Sequence, residues 1–528
     1  MAASSKTLWR RLSRLYSSSE EEASAGKALF REYTHRGYLQ LSDEETGALS
    51  AGVIIDFYRR LSLLRSASSP VGRRRDARWM ISCDFQQFQV RKYGSFFKAL
   101  FDLPRIRPDS LILLPVTKAS EEVSLYPESH SLLDPVLGDP LLDSLGFSLE
   151  DQFRLFLAAA HLNGKKIGYY LSPLISPVSA VIYRKPEFFL WTRNGTHGVG
   201  ADDCSGEVRQ LVEREFRSAE KYDYPNLRRL TAGAGLEPVS AGPEGKYPCF
   251  NLKQPECREY FSRIYFNLQS QYALDFGFLS FPGVMADAEE LETVGILTEE
   301  GRGCLKKYTG WIVDSPDPAQ ESLCRDLPVQ FSLREPDAPV LSEQFIHRWF
   351  HSLGELFDLN RGRKVPFSRT VSLKSQEHRK EDLFARMHFL ARFSGISRFR
   401  RPLLLEADPS GNVSGGSSET YNLIEDVYTR YRTVLEKGRL IQVVADESFA
   451  WWIISDRGRI LIPLLALDHR GSGEAVRIDY NDVAGKGKVL SVVEYDFTSS
   501  QGSLYLSADN SLTVTDLEPG TFRLFSLQ

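Results

Sequence analysis

Short apolar runs that alternate with helical patterns restrict the fold of this 528-residue chain more than any other feature. Eight runs of strand length occur between residues 79 and 407, and they are WMISCDFQQF, SLILLPV, KKIGYYLSPL, ALDFGFLSF, YTGWIVDS, LPVQFSL, RTVSLKS and RPLLLEA. Helical patterns lie between several of them, for example from Leu149 to Leu162 and from Pro255 to Gln271. Strands that alternate with helices favour a parallel sheet, and eight of them indicate an α/β fold of the (β/α)8 TIM-barrel type.

The segments on either side of this region have different patterns. Residues 1–75 carry apolar side chains at spacings of three and four, which predicts an N-terminal helical extension. Residues 439–528 consist of short alternating runs separated by Gly, Asp and Asn turns, which predicts a C-terminal antiparallel β-sandwich. We therefore expect three domains: the extension at 1–75, the barrel at 76–438 and the sandwich at 439–528.

The composition excludes several classes of function. The 65 basic and 69 acidic residues are intermixed and give a net charge of -4, so no overall field favours nucleic acid or an anionic membrane. No run approaches the roughly 18 apolar residues of a membrane span. The six cysteines include no CxxC pair, and no glycine-rich nucleotide motif is present. We expect a soluble, cytoplasmic protein with free thiols, no cofactor, and neither a nucleic-acid nor a membrane partner.

One pair of histidines has a spacing that suits a metal ion. His347 and His351 stand four residues apart on a predicted helix, in the sequence HRWFH. The glutamate of an HExxH motif is missing, and no acidic third ligand is evident. Surface or core histidines are the commoner explanation, and we expect no metal site.

Several barrel segments carry motifs that occur in one order along the chain. The loop after the second strand contains Leu133, Asp134, Pro135, Leu137 and Gly138; the third-strand segment contains Ala160, His161 and Gly164; the fourth contains Tyr272 and Asp275. This ordered series resembles the α-amylase family of glycoside hydrolases, whose fourth strand has the approximate motif Y-G-V-D-G-F-R-I-D. The resemblance implies a barrel followed by a β-domain, an oligosaccharide ligand, and catalysis by two carboxylates.

The fourth and fifth strands depart from the family at its catalytic positions. In the ungapped match Phe278 stands at the family's arginine and Ser280 at its nucleophilic aspartate; a one-residue slip places Leu279 and Phe281 there. Neither register supplies an arginine or an aspartate. On the fifth strand Asp314 stands at the position of the general-acid glutamate, one methylene shorter, and is a candidate acid.

The third and seventh strands depart in the same direction. The positions at which the family has Asp, Asn and His hold Tyr170, Leu174, Ile175, Ser375 and Gln376. Arg379 matches the family's arginine after the seventh strand. A serine needs a nearby base to become a nucleophile, and the family's two histidine positions hold Ile175 and Ser375. Ordinary amylase chemistry is therefore not expected.

Sugar-binding candidates are Tyr126, Trp191 and Arg379. Tyr126 stands near the family's sugar-stacking tyrosine, and Trp191 lies after the third strand on the side where TIM barrels carry their sites. For Trp191, core packing is an equally good explanation. For Trp451 and Trp452, which lie in a sandwich strand, we favour core packing.

Three functions fit these observations. The first is a non-catalytic protein of carbohydrate metabolism that binds oligosaccharide or acts as a scaffold. The second is an active glycosidase or glycosyltransferase with Asp314 as acid and a loop carboxylate such as Asp287 as its partner. The third is a protein-interaction module, which predicts an exposed apolar patch around Tyr170, Leu174, Ile175 and Phe281.

Overall fold

The computed structural model describes the chain from residue 83 to residue 528 with interruptions. Outside the description lie 1–82, 101–102, 104–105, 109, 120–124, 145–146, 163–164, 194–203, 216–223, 242–245, 252–253, 273, 281–309, 316–328, 334–340, 361–370, 375–380, 395–402, 407–418, 468–474, 481–482, 484–489, 499–500, 508–510 and 516. The predicted helical extension lies among them. The chain divides into two compact units, one built mainly of residues 87–329 and the other of residues 78–86, 330–408 and 412–528.

All the predicted strand runs contain β-strands. The strands are β1 (Phe85–Phe88), β2 (Ser110–Leu113), β3 (Lys166–Leu171), β4 (Trp191–Arg193), β5 (Leu236–Pro238), β6 (Ser240–Ala241), β7 (Tyr247–Pro248), β8 (Phe276–Ser280), β9 (Gly310–Ser315), β10 (Val329–Leu333), β11 (Val371–Lys374), β12 (Leu403–Glu406), β13 (Arg439–Ala445), β14 (Phe449–Asp456), β15 (Arg459–Ala466), β16 (Val476–Asp479), β17 (Leu490–Asp496), β18 (Gln501–Ser507), β19 (Ser511–Val514) and β20 (Phe522–Leu527). The barrel runs correspond to β1–β3 and β8–β12.

The α-helices lie between these strands as the patterns predict. They are α1 (Phe96–Leu100), α2 (Pro140–Ser144), α3 (Leu149–Leu162), α4 (Ala180–Arg184), α5 (Ser205–Glu215), α6 (Tyr224–Gly233), α7 (Pro255–Tyr272), α8 (Glu343–Asn360), α9 (Glu381–Phe393) and α10 (Glu419–Lys437). Helix α3 begins after Ser148, whose Oγ accepts a hydrogen bond from the Asp151 N–H at 3.1 Å, as an N-cap serine does. No helix in the described parts of the chain is long and apolar enough to cross a membrane.

In the first unit the barrel strands form a parallel sheet in the order β9-β8-β3-β2. Strand β3 is buried along nearly its whole length and β8 along all of it. Burial on both faces explains why these strands are continuous apolar runs in the sequence. In the second unit the first two residues of β1 pair with β12, and β12 pairs with β11, again in parallel.

The C-terminal part of the second unit is antiparallel, which confirms the predicted sandwich. Six strands pair in the order β13-β14-β15-β20-β17-β18, and β16 pairs separately with β19. One face of the six-stranded sheet packs with β16 and β19, and the other packs against helices α8, α9 and α10. Trp451 and Trp452 point to opposite faces and both are buried; the Trp452 indole N–H donates to the Phe393 carbonyl at 2.7 Å. Both are therefore core residues.

Candidate functional site

The candidate active-site residues of the third, fourth and fifth strands lie side by side in the parallel sheet. Tyr170 of β3 pairs in register with Phe278 of β8, and Phe278 pairs with Ile312 of β9. Two residues further along, Ser280 pairs with Asp314. The backbone therefore places Ser280 and Asp314, which the ungapped match assigns to the nucleophile and general-acid positions, side by side on adjacent strands.

The two faces of β3 have different surroundings. Tyr169 is a neighbour of Tyr272, whose ring packs edge-on against Phe153 of α3 at 4.7 Å, so Tyr169 lies on the face near α3. Burial raises the pKa of Tyr169 to about 12. Successive residues of a strand point to opposite faces, so Tyr170 lies on the face away from α3. Phe278 and Ser280 share that face, which in a TIM barrel is the interior.

Aromatic side chains fill this interior face. The Tyr170 and Phe278 rings stack with centroids 5.6 Å apart, and their residues are 6% and 1% exposed. Ser280 is also buried. One layer below, the ring of Phe276 lies over Gly168, where an added Cβ would stand 2.3 Å from a ring carbon. Gly168 was not predicted from the sequence, although a glycine inside a strand pattern signals such a close approach.

Substitution of Gly168 by alanine tests how tightly this layer is filled. We expect Gly168→Ala to lower the free energy of unfolding by about 1–3 kcal/mol, because the methyl group and the buried Phe276 ring compete for the same space. The measurement is denaturant unfolding followed by circular dichroism. Phe276→Leu removes the ring atoms in question, so adding it to Gly168→Ala should cost less than the two single changes combined. Strictly additive effects would show that the two side chains do not compete.

The loop after β3 is closed over by another segment. Leu174 and Ile175 are fully buried; Leu174 pairs with Cys249, and the Ile175 N–H donates to the Pro248 carbonyl at 3.2 Å. The Phe250 N–H donates to the Pro173 carbonyl at 2.8 Å. The positions at which the family carries polar sugar-binding residues are thus held in core packing by residues 248–250.

The two aromatic candidates for sugar binding are buried as well. Trp191 begins β4, is 1% exposed, and donates its indole N–H to the Pro186 carbonyl at 2.7 Å. Tyr126 is 7% exposed, and its ring lies 4.4 Å from that of Tyr247. Neither presents an open ring face of the kind on which sugars stack. Their roles in binding stay predictions.

Asp275 links a helix to the parallel sheet through two hydrogen bonds. Its Oδ2 accepts hydrogen bonds from the Ile167 N–H at 2.9 Å and from His161 Nε2 at 2.8 Å. Burial by itself raises the pKa of Asp275, but the hydrogen bond and charge of His161 outweigh it and the pKa is lowered. His161 lies in α3, and Asp275 directly precedes β8. The two hydrogen bonds therefore join α3 to the beginning of β3 and of β8, whereas Ser280 is the last residue of β8.

The remaining candidates are placed only in part. Ser375, Gln376, Arg379, Phe281 and Asp287 lie outside the described residues, as does the side chain of Asp314. Their catalytic and binding roles are untested predictions.

His347 and His351, the two histidines whose spacing suits a metal ion, lie on the exposed surface of α8. The side chain of His347 is 57% exposed, and its Nε2 lies 3.6 Å from Glu343. His351 is also exposed. In the described segments, no three His, Cys, Asp or Glu side chains form a cluster that suits a metal ion.

Comparison with solved structures identifies the architecture. An α-amylase from Anoxybacillus matches with a TM-score of 0.54 and 10% identity, over 85% of this chain and 98% of that chain. The α-amylase of Geobacillus thermoleovorans, solved with acarbose, matches with a TM-score of 0.52 and 11% identity over 85% and 98%. A noncanonic maltogenic α-amylase of Thermotoga neapolitana matches with a TM-score of 0.51 and 13% identity over 84% and 98%.

These matches establish the fold. The chain has the α-amylase fold, a TIM barrel followed by an antiparallel β-domain, which confirms the fold class and the resemblance carried by the motifs. No protein-family model and no curated protein sequence matches the chain. At such low identity the likeness extends to the fold, and the activity has to be argued from the residues at the site.

Proposed function

We propose that this chain is a non-hydrolytic protein of the α-amylase fold that acts in carbohydrate metabolism as a scaffold. The observation that carries the proposal is the interior row of β3 and β8, in which stacked Tyr170 and Phe278 and buried Ser280 stand at positions that hold polar catalytic groups in the family. A retaining glycosidase needs two carboxyl groups about 5–5.5 Å apart. Residues 170–176 and 276–280 include none.

The burial of the candidate binding residues favours the scaffold role over the two other non-catalytic roles. Oligosaccharide binding at the strand ends needs open polar or aromatic faces, whereas Tyr126, Trp191 and Tyr170 are all nearly covered. Docking of a protein into the former site needs an exposed apolar patch, whereas Leu174 and Ile175 are fully buried. Both facts favour a framework function over recognition at this site.

One observation supports an active enzyme as a second candidate. Asp314 of β9 pairs with Ser280 of β8, near the end of the strand at which the family has its general acid. With a loop carboxylate such as Asp287 as partner, an unconventional pair would remain available. This candidate predicts that the amide variant of Asp314 loses activity.

Turnover and binding measurements distinguish these candidates. Maltoheptaose and sucrose are incubated with the wild-type chain and with Asp314→Asn, products are separated by chromatography, and binding is followed by calorimetry. We expect no detectable product from either protein, because loss of such a catalytic unit lowers the rate by on the order of 10⁴ to 10⁶. Product that forms with wild type and disappears with Asp314→Asn would overturn the proposal. Heat of binding without product would favour the carbohydrate-binding role over the scaffold.

The thiols support a reducing, cytoplasmic location for this function. Cys204, Cys249 and Cys257 are buried thiols that form no disulfide bond, and Cys83 is a half-buried one. The Cys257 thiol donates to the Phe188 carbonyl at 3.3 Å, so it acts as a small core residue. Free thiols persist where the redox poise keeps them reduced.

A further inference from the structure

A buried group of four ionisable side chains lies in the second unit. Asp84 precedes β1, His388 and Arg392 belong to α9, and Glu425 belongs to α10. The Arg392 guanidinium binds both carboxylate oxygens of Asp84, at 3.1 and 2.5 Å. Its Nε also donates to Glu425 Oε1 at 2.6 Å. We call these four residues the ionic cluster.

The cluster connects several elements of the unit. Asp84 Oδ1 also accepts a hydrogen bond from the backbone N–H of Leu403, the first residue of β12, at 3.0 Å. Helices α9 and α10 are held together through Glu425. The side chains of His388 and Arg392 have no exposure to solvent. Loss of the cluster would therefore remove the polar contacts that join both helices and the start of β1.

Geometry fixes the protonation state of His388. Its Nε2 lies 2.6 Å from Glu425 Oε1, and a carboxylate only accepts, so Nε2 carries the proton. Its Nδ1 is buried and has no hydrogen-bond partner among the residues that the structure describes. The ring stacks on Tyr421 of α10 with centroids 4.4 Å apart. A second proton on Nδ1 would therefore be a buried donor without an acceptor.

We propose that the ionic cluster is an acid-sensitive latch, in which protonation of His388 on Nδ1 releases helices α9 and α10 from each other and from the start of β1. The latch is closed while the imidazole is neutral. It opens when the ring takes up a proton that its buried position cannot accommodate.

The groups that face His388 determine the sign of the effect. Burial lowers the pKa of His388 below its ordinary value of 6.5, and the Arg392 charge acts in the same direction. The Glu425 and Asp84 carboxylates attract the added proton, but both already form ion pairs with Arg392. Tyr421, whose ring stacks on that of His388, is another ionisable neighbour. His388 binds a proton more readily once the cluster has opened. The stabilisation that its neutral form contributes is therefore fully present above pH 6.5, and it decreases as the pH falls towards the folded-state pKa of His388.

The Glu425 carboxylate acts in a different pH range. Burial raises its pKa, but the Arg392 charge and the His388 hydrogen bond outweigh this and hold it well below its ordinary value of 4.5. Glu425 therefore contributes stability above pH 4.5 that is lost only as the pH falls through its folded-state pKa. Within the ionic cluster, opening between pH 6.5 and pH 5 is then attributable to His388.

Hydrogen exchange of the full chain at pH 7.5, 6.5 and 5.5 tests the latch. After correction for the intrinsic exchange rate, we expect the opening constant of peptides from α9 and α10 to rise by up to about tenfold between pH 6.5 and pH 5.5. In His388→Gln the side-chain amide retains a donor for Glu425 but does not titrate, and the rise should disappear. His347→Gln, at an exposed histidine of the same unit, should exchange like wild type. An identical rise in wild type and His388→Gln, or no rise in wild type, would overturn the proposal.

A measurement on the wild type alone covers the case in which His388→Gln does not fold. Histidine labelled with ¹⁵N reports the tautomer and the titration of each ring by NMR. The latch requires a His388 signal that remains the Nε2–H tautomer below pH 6.5 in the folded protein. A His388 ring that is doubly protonated in the folded protein at pH 6.5 would contradict it.

Discussion

Replacement of Arg392 by methionine is expected to lower the free energy of unfolding by about 3–5 kcal/mol, which is enough to unfold a marginally stable unit. The guanidinium is fully buried and is a shared partner of the Asp84 and Glu425 carboxylates; it also lies over the Tyr428 ring at 5.2 Å. Methionine has a similar length but leaves both carboxylates in low dielectric without their cation. Urea unfolding of purified variants measures the loss.

Arg432 is the matched control for this change. It lies in α10 and forms an ion pair with Glu436 four residues on, but both side chains are exposed. An exposed pair of this kind contributes only about 0.3–0.5 kcal/mol, so Arg432→Met should be nearly silent. A loss for Arg392→Met no larger than for Arg432→Met would show that the Arg392 pairs are solvated and that the ionic cluster does not hold the unit together.

Phe278→Arg is expected to have the second large effect, at least as great as the roughly 3–5 kcal/mol of a buried Phe→Ala change. The substitution restores the residue type that the α-amylase family carries here. Phe278 is only 1% exposed and stacks on Tyr170, and residues 170–176 and 276–280 supply no carboxylate as a partner. The guanidinium would therefore be buried without a carboxylate partner from either of these segments.

Phe278→Leu separates the cost of the charge from the cost of lost packing. Leucine keeps an apolar side chain of reduced volume, and we expect it to retain most of the stability in thermal unfolding. Equal tolerance of leucine and arginine would indicate a water-filled cavity at this strand end. Such a result would argue against a filled interior and hence against the scaffold role.

The barrel strands were predictable because burial on both faces leaves an uninterrupted apolar run between turn residues. The run KKIGYYLSPL, for example, yields β3 at Lys166–Leu171. Strands β4 to β7 were missed, since elements of two or three residues have no periodicity to detect. Trp191, which was expected on a loop, begins β4 for that reason.

At the candidate site the residue types could be predicted from the sequence, whereas their contacts became known only from the register of the sheet. The match to the family motif predicted that Phe278 and Ser280 occupy catalytic positions, but not that the Tyr170 ring stacks on Phe278. The ionic cluster was invisible in the sequence, because Asp84 and Arg392 are 308 residues apart and no local pattern connects them. Long-range polar contacts of this kind depend on the tertiary fold alone.

Covalent trapping tests the absence of glycosidase chemistry most directly. A retaining glycosidase forms a glycosyl ester on its nucleophilic carboxylate, and 5-fluoro-α-D-glucosyl fluoride makes that ester long-lived. The chain and, as a positive control, an active α-amylase are incubated separately with this reagent. The mass of each protein is then measured by intact-protein mass spectrometry. We predict no change in the mass of this chain while the control gains one fluoroglucosyl group. A stoichiometric gain on any carboxylate of this chain would contradict the proposed function.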